Sequence, residues 1–320
     1  MSGRSRLRHW AQLIRLPNTF TVIADVTAGF LLIGHGADPL ARLCMVLLAG
    51  LSFYWSGMIL NDWFDVEKDR RERPGRPLPS GEIGINQAGR AGWGLLTLGI
   101  ILASIAGYLP SENWESTWRP TLVACLLAIT IVAYDGPLKQ TALAPLLMGF
   151  CRFLSFLLGA SVLLTGPLQS WSDFAPGHVL IFACGMGVYV MGVTNMARHE
   201  ADGDVRSATL PIGLIVAMLG AYLLTLAPVA APPDEPWRVS PERGFPLLIG
   251  LIAFGVFFRG VRVMLAPDAH ALQMLIRIAV LTIIPFSAAI AFLASGIGWG
   301  LAIFSLVVPA ILLSIWFRVT

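Results

Sequence analysis

Residues 40–60, LARLCMVLLAGLSFYWSGMIL, run straight into Asn61-Asp62-Trp63-Phe64-Asp65-Val66-Glu67-Lys68-Asp69. An apolar run of that length is enough to cross the hydrocarbon core of a bilayer as a helix. The acids that follow it mark the point where the chain leaves the membrane. The rest of the sequence agrees with a lipid solvent: 56% of the 320 residues are hydrophobic and only 13% are charged, and mean hydropathy is +0.73. A soluble globular domain carries about 25% charged residues, so this supply cannot cover a water-facing surface. In lipid, only helices or closed barrels satisfy their backbone groups, and long apolar runs select helices.

Ten spans follow on this reading: 13–33, 40–60, 88–109, 120–135, 142–165, 178–197, 209–230, 245–263, 273–294 and 297–317. The last two are joined by a tight turn at Ser295–Gly298, so nine spans with one re-entrant helix is the alternative. The expected fold is an all-α integral membrane bundle of 9–10 transmembrane helices, built as a single domain over 1–320. Leu13–Ile33 contains Asn18 and Asp25 and reads as the first span, not as a cleaved leader.

Basic residues orient the bundle. With the N-terminus inside, sixteen Lys/Arg fall on the cytoplasmic side and four (Arg42, Arg119, Arg238, Arg243) outside. This places the acidic loops 61–87 and 196–208 in the cytoplasm. The net charge of +3 gives no case for nucleic acid. The four cysteines lie in apolar stretches without a CxxC pair, and the five histidines do not cluster at ligand spacing.

If residues 61–69 continue as a helix, 100° per residue puts Asp62, Asp65 and Asp69 within roughly 60° on one face. Three carboxylates on one stripe repel one another unless a cation lies between them. Mg²⁺, which takes one or two carboxylates and keeps positions for phosphate oxygens, suits that stripe and would grip a diphosphate. In Arg70-Arg71-Glu72-Arg73-Pro74-Gly75-Arg76-Pro77-Leu78-Pro79-Ser80-Gly81 the prolines and glycines end the helix, and a new one is not expected until after Gly84. Arg152 lies well inside the fifth span and needs a partner, for which Asp25 is the candidate.

The NDxxDxxxD pattern of Asn61–Asp69, with its Arg76-Pro77-Leu78-Pro79 trailer after the second span, resembles the first signature of the UbiA superfamily of intramembrane prenyltransferases. The stretch Glu200-Ala201-Asp202-Gly203-Asp204 resembles the second, with Glu200 where an Asp is usual and a loop about two residues shorter before Thr209-Leu210-Pro211. Tyr134-Asp135-Gly136-Pro137-Leu138-Lys139 resembles the family's Tyr-x-x-x-Leu-Lys segment, and Leu16-Pro17-Asn18 its first helix. The same segment, with Ala144-Pro145-Leu146 and Gly149-Phe150-Cys151-Arg152, looks like the EboC-like bacterial subgroup.

The resemblance implies Mg²⁺ held by Asp62, Asp65, Asp69, Glu200 and Asp204, with Lys139 and Arg76 on the diphosphate of a prenyl donor. Asn18, Asn61, Tyr134 and Arg152 are the further substrate-binding candidates. It implies transfer of a (poly)prenyl group to an aromatic or other lipophilic acceptor, in a bacterial inner membrane. Two readings compete: an isoprenoid-binding homologue without turnover, and a multi-span transporter of an anionic substrate. The transporter reading predicts charges near the bilayer midplane, whereas most acids here sit at one face.

Overall fold

The structure is a computed structural model, and it describes residues 3–167, 170, 173–198 and 208–317. Among these residues the regular secondary structure is helical, with no strand. A short helix α1 (Gly3–Leu13) precedes a 3-10 turn at Leu16–Asn18 and the first spanning helix α2 (Thr19–Gly34). Then come α3 (Leu40–Phe64), the short α4 (Val66–Glu72), α5 (Ile85–Tyr108), α6 (Arg119–Asp135), α7 (Ala144–Ser161), α8 (Gly177–Met196) and α9 (Thr209–Leu226). The chain ends with α10 (Gly244–Leu265), α11 (Ala269–Leu281), α12 (Ile283–Ser295), α13 (Ile297–Phe304) and α14 (Val307–Phe317).

Nine segments among the described residues are long and apolar enough to cross a membrane. Helix α6, at 17 residues, rises about 25 Å and packs between α5 and α7, which gives the tenth position expected from sequence. The final two spans are each made of two helices, 269–295 and 297–316. Proline explains both interruptions. Its ring clashes with the carbonyl four residues back and it lacks an N–H; Pro285 stands four after Leu281, where α11 ends, and Pro309 four after Ser305, where α13 gives way to α14. The turn between the two spans is a single residue, Gly296, at φ 90°, a conformation that only glycine adopts freely.

The spanning helices pack in chain order, α3 on α5 and then each on the next to α10, and α12 and α14 return to α2, so α2 is surrounded by α3, α7, α12 and α14. With no hydrophobic drive between helices in lipid, close packing must hold them, and small residues permit it. A Cβ at Gly29 of α2 would lie 2.2 Å from the Phe156 carbonyl oxygen, and one at Gly159 of α7 2.0 Å from that of Val26. The α2–α7 crossing is backbone against backbone. Outward-facing positions such as Ile129, Ile215, Leu251 and Leu301 are apolar and exposed, as a lipid-facing belt requires.

The first span begins later than residue 13. Arg15 adopts a left-handed backbone, φ 47°, and separates α1 from α2. Leu13 is thereby free to pack with Ile59, Val66, Leu78, Ile83 and Ala88 in a second apolar cluster, flanked by Trp10 and Ile14. That cluster supports the carboxylate end of the bundle.

The opposite end is held by buried arginines, which the sequence offered only as charges to count. Arg42, fully buried, donates five hydrogen bonds of 2.8–3.0 Å to the carbonyls of Leu109, Trp114, Glu115 and Val162. Arg119 donates to Thr165 (2.6 Å), Gly166 (3.2 Å) and Asp173 (3.0 Å) carbonyls and lies over the Phe174 ring. A loop has more carbonyls than it can pair internally, and a guanidinium with five N–H donors and no acceptor serves several at once.

Candidate active site

Helix α3 does not continue unbroken through the acidic motif. Asp65, at φ −87° and ψ 1°, turns the chain without breaking the hydrogen-bond ladder: its N–H bonds the Asn61 carbonyl (3.2 Å) and its carbonyl accepts the Asp69 N–H (2.8 Å). The three carboxylates of the expected stripe meet different cations. Asp65 is hydrogen-bonded to the Lys139 ammonium, whereas Asp69 accepts a 2.6 Å bond from Arg76 Nη1. The same Arg76 nitrogen is 3.6 Å from Asp62 Oδ1, and Arg15 Nη2 is 3.8 Å from that oxygen.

Local sequence explains each placement. The proline-rich loop folds on itself through Arg76 N–H to Arg73 carbonyl (3.1 Å), Ser80 N–H to Arg76 carbonyl (3.0 Å) and Ile83 N–H to Pro77 carbonyl (3.1 Å). Leu78 and Ile83 are buried in the second cluster. Those two anchors hold Arg76 under α3, and α5 starts at Ile85, directly after Gly84 as expected. Lys139 is carried by the turn after α6, where Gly136 N–H bonds the Val132 carbonyl (3.0 Å) and Leu138 N–H that of Ala133 (3.1 Å).

On the bundle side of these pairs, Asn61 Nδ2 donates to Asp135 Oδ1 at 2.9 Å, with both residues buried. Tyr134, the preceding residue, is half-buried. Further in, Tyr54 donates its hydroxyl to the Arg15 carbonyl at 3.2 Å. Arg152 is paired with Asp25 at 2.5 Å, as expected, and Asp25 also accepts from the Ser155 hydroxyl at 3.3 Å. The guanidinium additionally reaches the Thr21 hydroxyl (3.3 Å) and carbonyl (3.4 Å). Arg152 thus has its charge satisfied within the α2–α7 crossing. Asn18 lies at the same end of the bundle, its N–H bonding the Arg15 carbonyl at 2.9 Å and its carbonyl accepting the Thr21 hydroxyl at 2.8 Å. Arg70 makes an exposed pair with Glu67 on α4 and not with the site.

Glu200 and Asp204 lie outside the described residues. The stems of their loop are described: Asn195 Nδ2 donates to the Thr209 carbonyl at 3.1 Å, and Arg198 to the Thr141 carbonyl at 3.3 Å on the Lys139 side. The second loop therefore leaves and re-enters the bundle at the carboxylate end.

Two site residues escaped the sequence reading. Arg15 was counted only as a positive-inside charge, and Asp135 was read only as part of a segment ending in Lys139. An acid closing an apolar helix was the available signal for Asp135. For Arg15 none existed, because a left-handed turn at that position brings it to Asp62.

No group of three or more His, Cys, Asp or Glu among the described residues converges as a metal cage. The reason is visible: Lys139 holds Asp65, and Arg76 stands between Asp62 and Asp69. The donor chemistry nevertheless suits a hard divalent ion, which takes carboxylate oxygens. Asp62 Oδ1 is buried with no hydrogen-bond partner among the described residues, a costly condition for a carboxylate oxygen that nothing ligates.

These features define a polytopic α-helical membrane protein with acids and cations paired at one end of an apolar bundle. The UbiA prenyltransferase family model matches residues 22–274, and the chain belongs to that family. The digeranylgeranylglyceryl phosphate synthase of Ignicoccus hospitalis is 26% identical over 233 residues, 72% of this chain and 73% of that one. That of Methanothermobacter thermautotrophicus is 28% identical over 233 residues, 71% and 76% of the two chains. Among solved structures, a digeranylgeranylglyceryl phosphate synthase matches at TM-score 0.63 and 18% identity, over 91% of this chain and 99% of that one. A UbiA homologue from Archaeoglobus fulgidus, bound to GPP and Mg²⁺, matches at TM-score 0.55 and 14% identity, over 93% and 99%. These likenesses establish the fold.

Proposed function

We propose that this membrane protein transfers a prenyl group from a prenyl diphosphate to a lipophilic acceptor, with Mg²⁺ as its metal. The single observation that carries the reading is the pairing of Asp62, Asp65 and Asp69 with Arg15, Arg76 and Lys139 at the mouth of an apolar bundle. Acids and cations are balanced there, so either set can change partners when an anionic ligand arrives. Arg76 and Lys139 turn from carboxylate to phosphate oxygens, a fork and a point charge well suited to them. The acids they release become free to hold the metal.

Asp62, Asp65 and Asp69 would hold Mg²⁺, and Glu200 and Asp204 from the second loop would complete a further position. Bound there, the ion supplies neutralisation of the charge that grows on the departing diphosphate. The chain's own contribution is to fix the diphosphate at the polar rim and to keep water from the allylic carbon, which enters the apolar interior. The names of the relatives support a prenylated glyceryl phosphate as product class, and hence an alcohol as the acceptor. The lysine and arginine bias supports a cytoplasmic carboxylate end, and the likeness of residues 134–152 to the EboC-like subgroup supports a bacterial inner membrane.

The test is binding of geranylgeranyl diphosphate to purified protein, first with Mg²⁺ and then with EDTA. Mg²⁺-dependent binding that Asp65→Ala removes is the expected result. Binding indifferent to Mg²⁺ would instead indicate an isoprenoid-binding protein without metal chemistry.

A further inference from the structure

The geometry points to Asp135 as the base that takes the acceptor's proton, an inference that rests on the transferase reading above. Prenyl transfer to an alcohol cannot finish until the O–H proton leaves, and the donor-site acids are poorly placed to take it. Asp65 is held by Lys139, Asp69 by Arg76, and Asp62 lies between Arg15 and Arg76. Each of these carboxylates lies against a cation and is also a candidate metal ligand.

Asp135 differs in having no direct ion pair and in not being a candidate metal ligand. It is buried at the last residue of α6 and has no ion pair among the described residues. Its single hydrogen bond there, from Asn61 Nδ2 to Oδ1 at 2.9 Å, fixes its orientation without supplying a positive charge. Its other oxygen, Oδ2, is buried with no hydrogen-bond partner among the described residues. The neighbouring stretch of α3 carries Gly57, where even an added Cβ would remain 3.9 Å from Oδ2. The free oxygen thus lies beside the one position of that α3 turn that has no side chain, with Ile131 next to it. Asn61 precedes Asp62 in sequence, so the same α3 turn positions the donor acids and this carboxylate.

In the step inferred, the bond between the prenyl C1 and the diphosphate oxygen breaks, and its electron pair leaves with the diphosphate. A lone pair on the acceptor oxygen forms the new C1–O bond. The proton from that oxygen passes to Asp135 Oδ2, and no further reactant is needed. Asn61 is the positioning residue for this carboxylate, whereas Asp135 touches the reacting hydroxyl.

The experiment compares wild type with Asp135→Asn and Asp135→Glu, using geranylgeranyl diphosphate and Mg²⁺ as donor and geranylgeranylglyceryl phosphate as acceptor. Asn can still accept from Asn61 but is no base. Removing a general base costs on the order of 100-fold or more, so Asp135→Asn should lose at least about 100-fold in transfer. Its donor Kd should stay within about threefold of wild type, and donor consumption should shift toward the prenyl alcohol. Asp135→Glu, which keeps a carboxylate, should recover at least about a tenth of wild-type transfer. Wild-type-like transfer by Asp135→Asn would overturn the inference, as would equal loss of donor binding and transfer in both variants. Wild-type protein that binds donor but never prenylates the alcohol would overturn it too, while leaving the donor site intact. Failure of wild type to bind donor at all would strike the transferase reading itself.

Discussion

Lys139 and Asp65 are hydrogen-bonded across the gap between the end of α3 and the turn that follows α6. Each comes from a different part of the chain, 74 residues apart, and neither position is fixed by its own helix alone. The pair joins the first acidic motif to the only lysine outside α4.

Asp65→Ala should abolish transfer, by at least about 100-fold, as loss of one preorganised electrostatic group at a charged transition state does. The protein should remain monodisperse in detergent, since Asp65 turns the chain through its backbone and not its side chain. A radiolabelled donor assay with size-exclusion chromatography reads both. Retained turnover would sink the metal assignment.

Arg76→Gln removes the cation between Asp62 and Asp69. Two carboxylates left facing each other repel, so the variant should melt earlier than wild type in EDTA. Adding Mg²⁺ should raise its Tm by more than it raises that of wild type, because the ion replaces the lost charge. A Tm shift equal in both proteins would place the metal elsewhere.

Arg42→Met tests the far end of the bundle. It leaves the buried Val162 carbonyl and the partly buried carbonyls of Leu109, Trp114 and Glu115 without this donor, at a cost on the order of 3 kcal/mol. Thermal unfolding should begin several degrees lower. Donor affinity of the folded fraction should not change, since Arg42 is at the end opposite the acids; weakened binding at low temperature would contradict the two-ended description.

Arg152→Met leaves Asp25 buried without its partner, which is worth about 3–5 kcal/mol of destabilisation. The double variant Arg152→Met with Asp25→Leu should recover most of that, because neither charge is then left alone. The substrate-binding role assigned to Arg152 from sequence predicts that the donor KM stays raised in the double variant. Recovery of both stability and KM would reduce Arg152 to a structural partner of Asp25.

The fold was legible because lipid imposes a single rule on every span: about twenty apolar residues, all backbone groups bonded within the helix. Hence the ten positions fell close to the helices observed, and Gly84 closed the loop where α5 begins. The errors came where the backbone leaves the regular helix. Arg15 turns left-handed and shortens the first span, and Asp65 interrupts α3, although neither residue type demands such a turn. The two proline interruptions at Pro285 and Pro309 changed no span, since each pair of halves still makes one apolar run long enough to cross the membrane.

By itself the sequence determined the solvent, the helical class, the end of the bundle that carries the acids, and the pairing of Arg152 with Asp25. Burial of a lone charge in lipid is costly enough to predict its partner. Only the tertiary structure decided which cation each aspartate meets, that Arg15 joins the site, and that Asp135 keeps one oxygen free. Those outcomes depend on where side chains from separate helices end relative to one another within an ångström or two. Hydropathy and helical periodicity carry no information at that scale, because they act along one helix at a time.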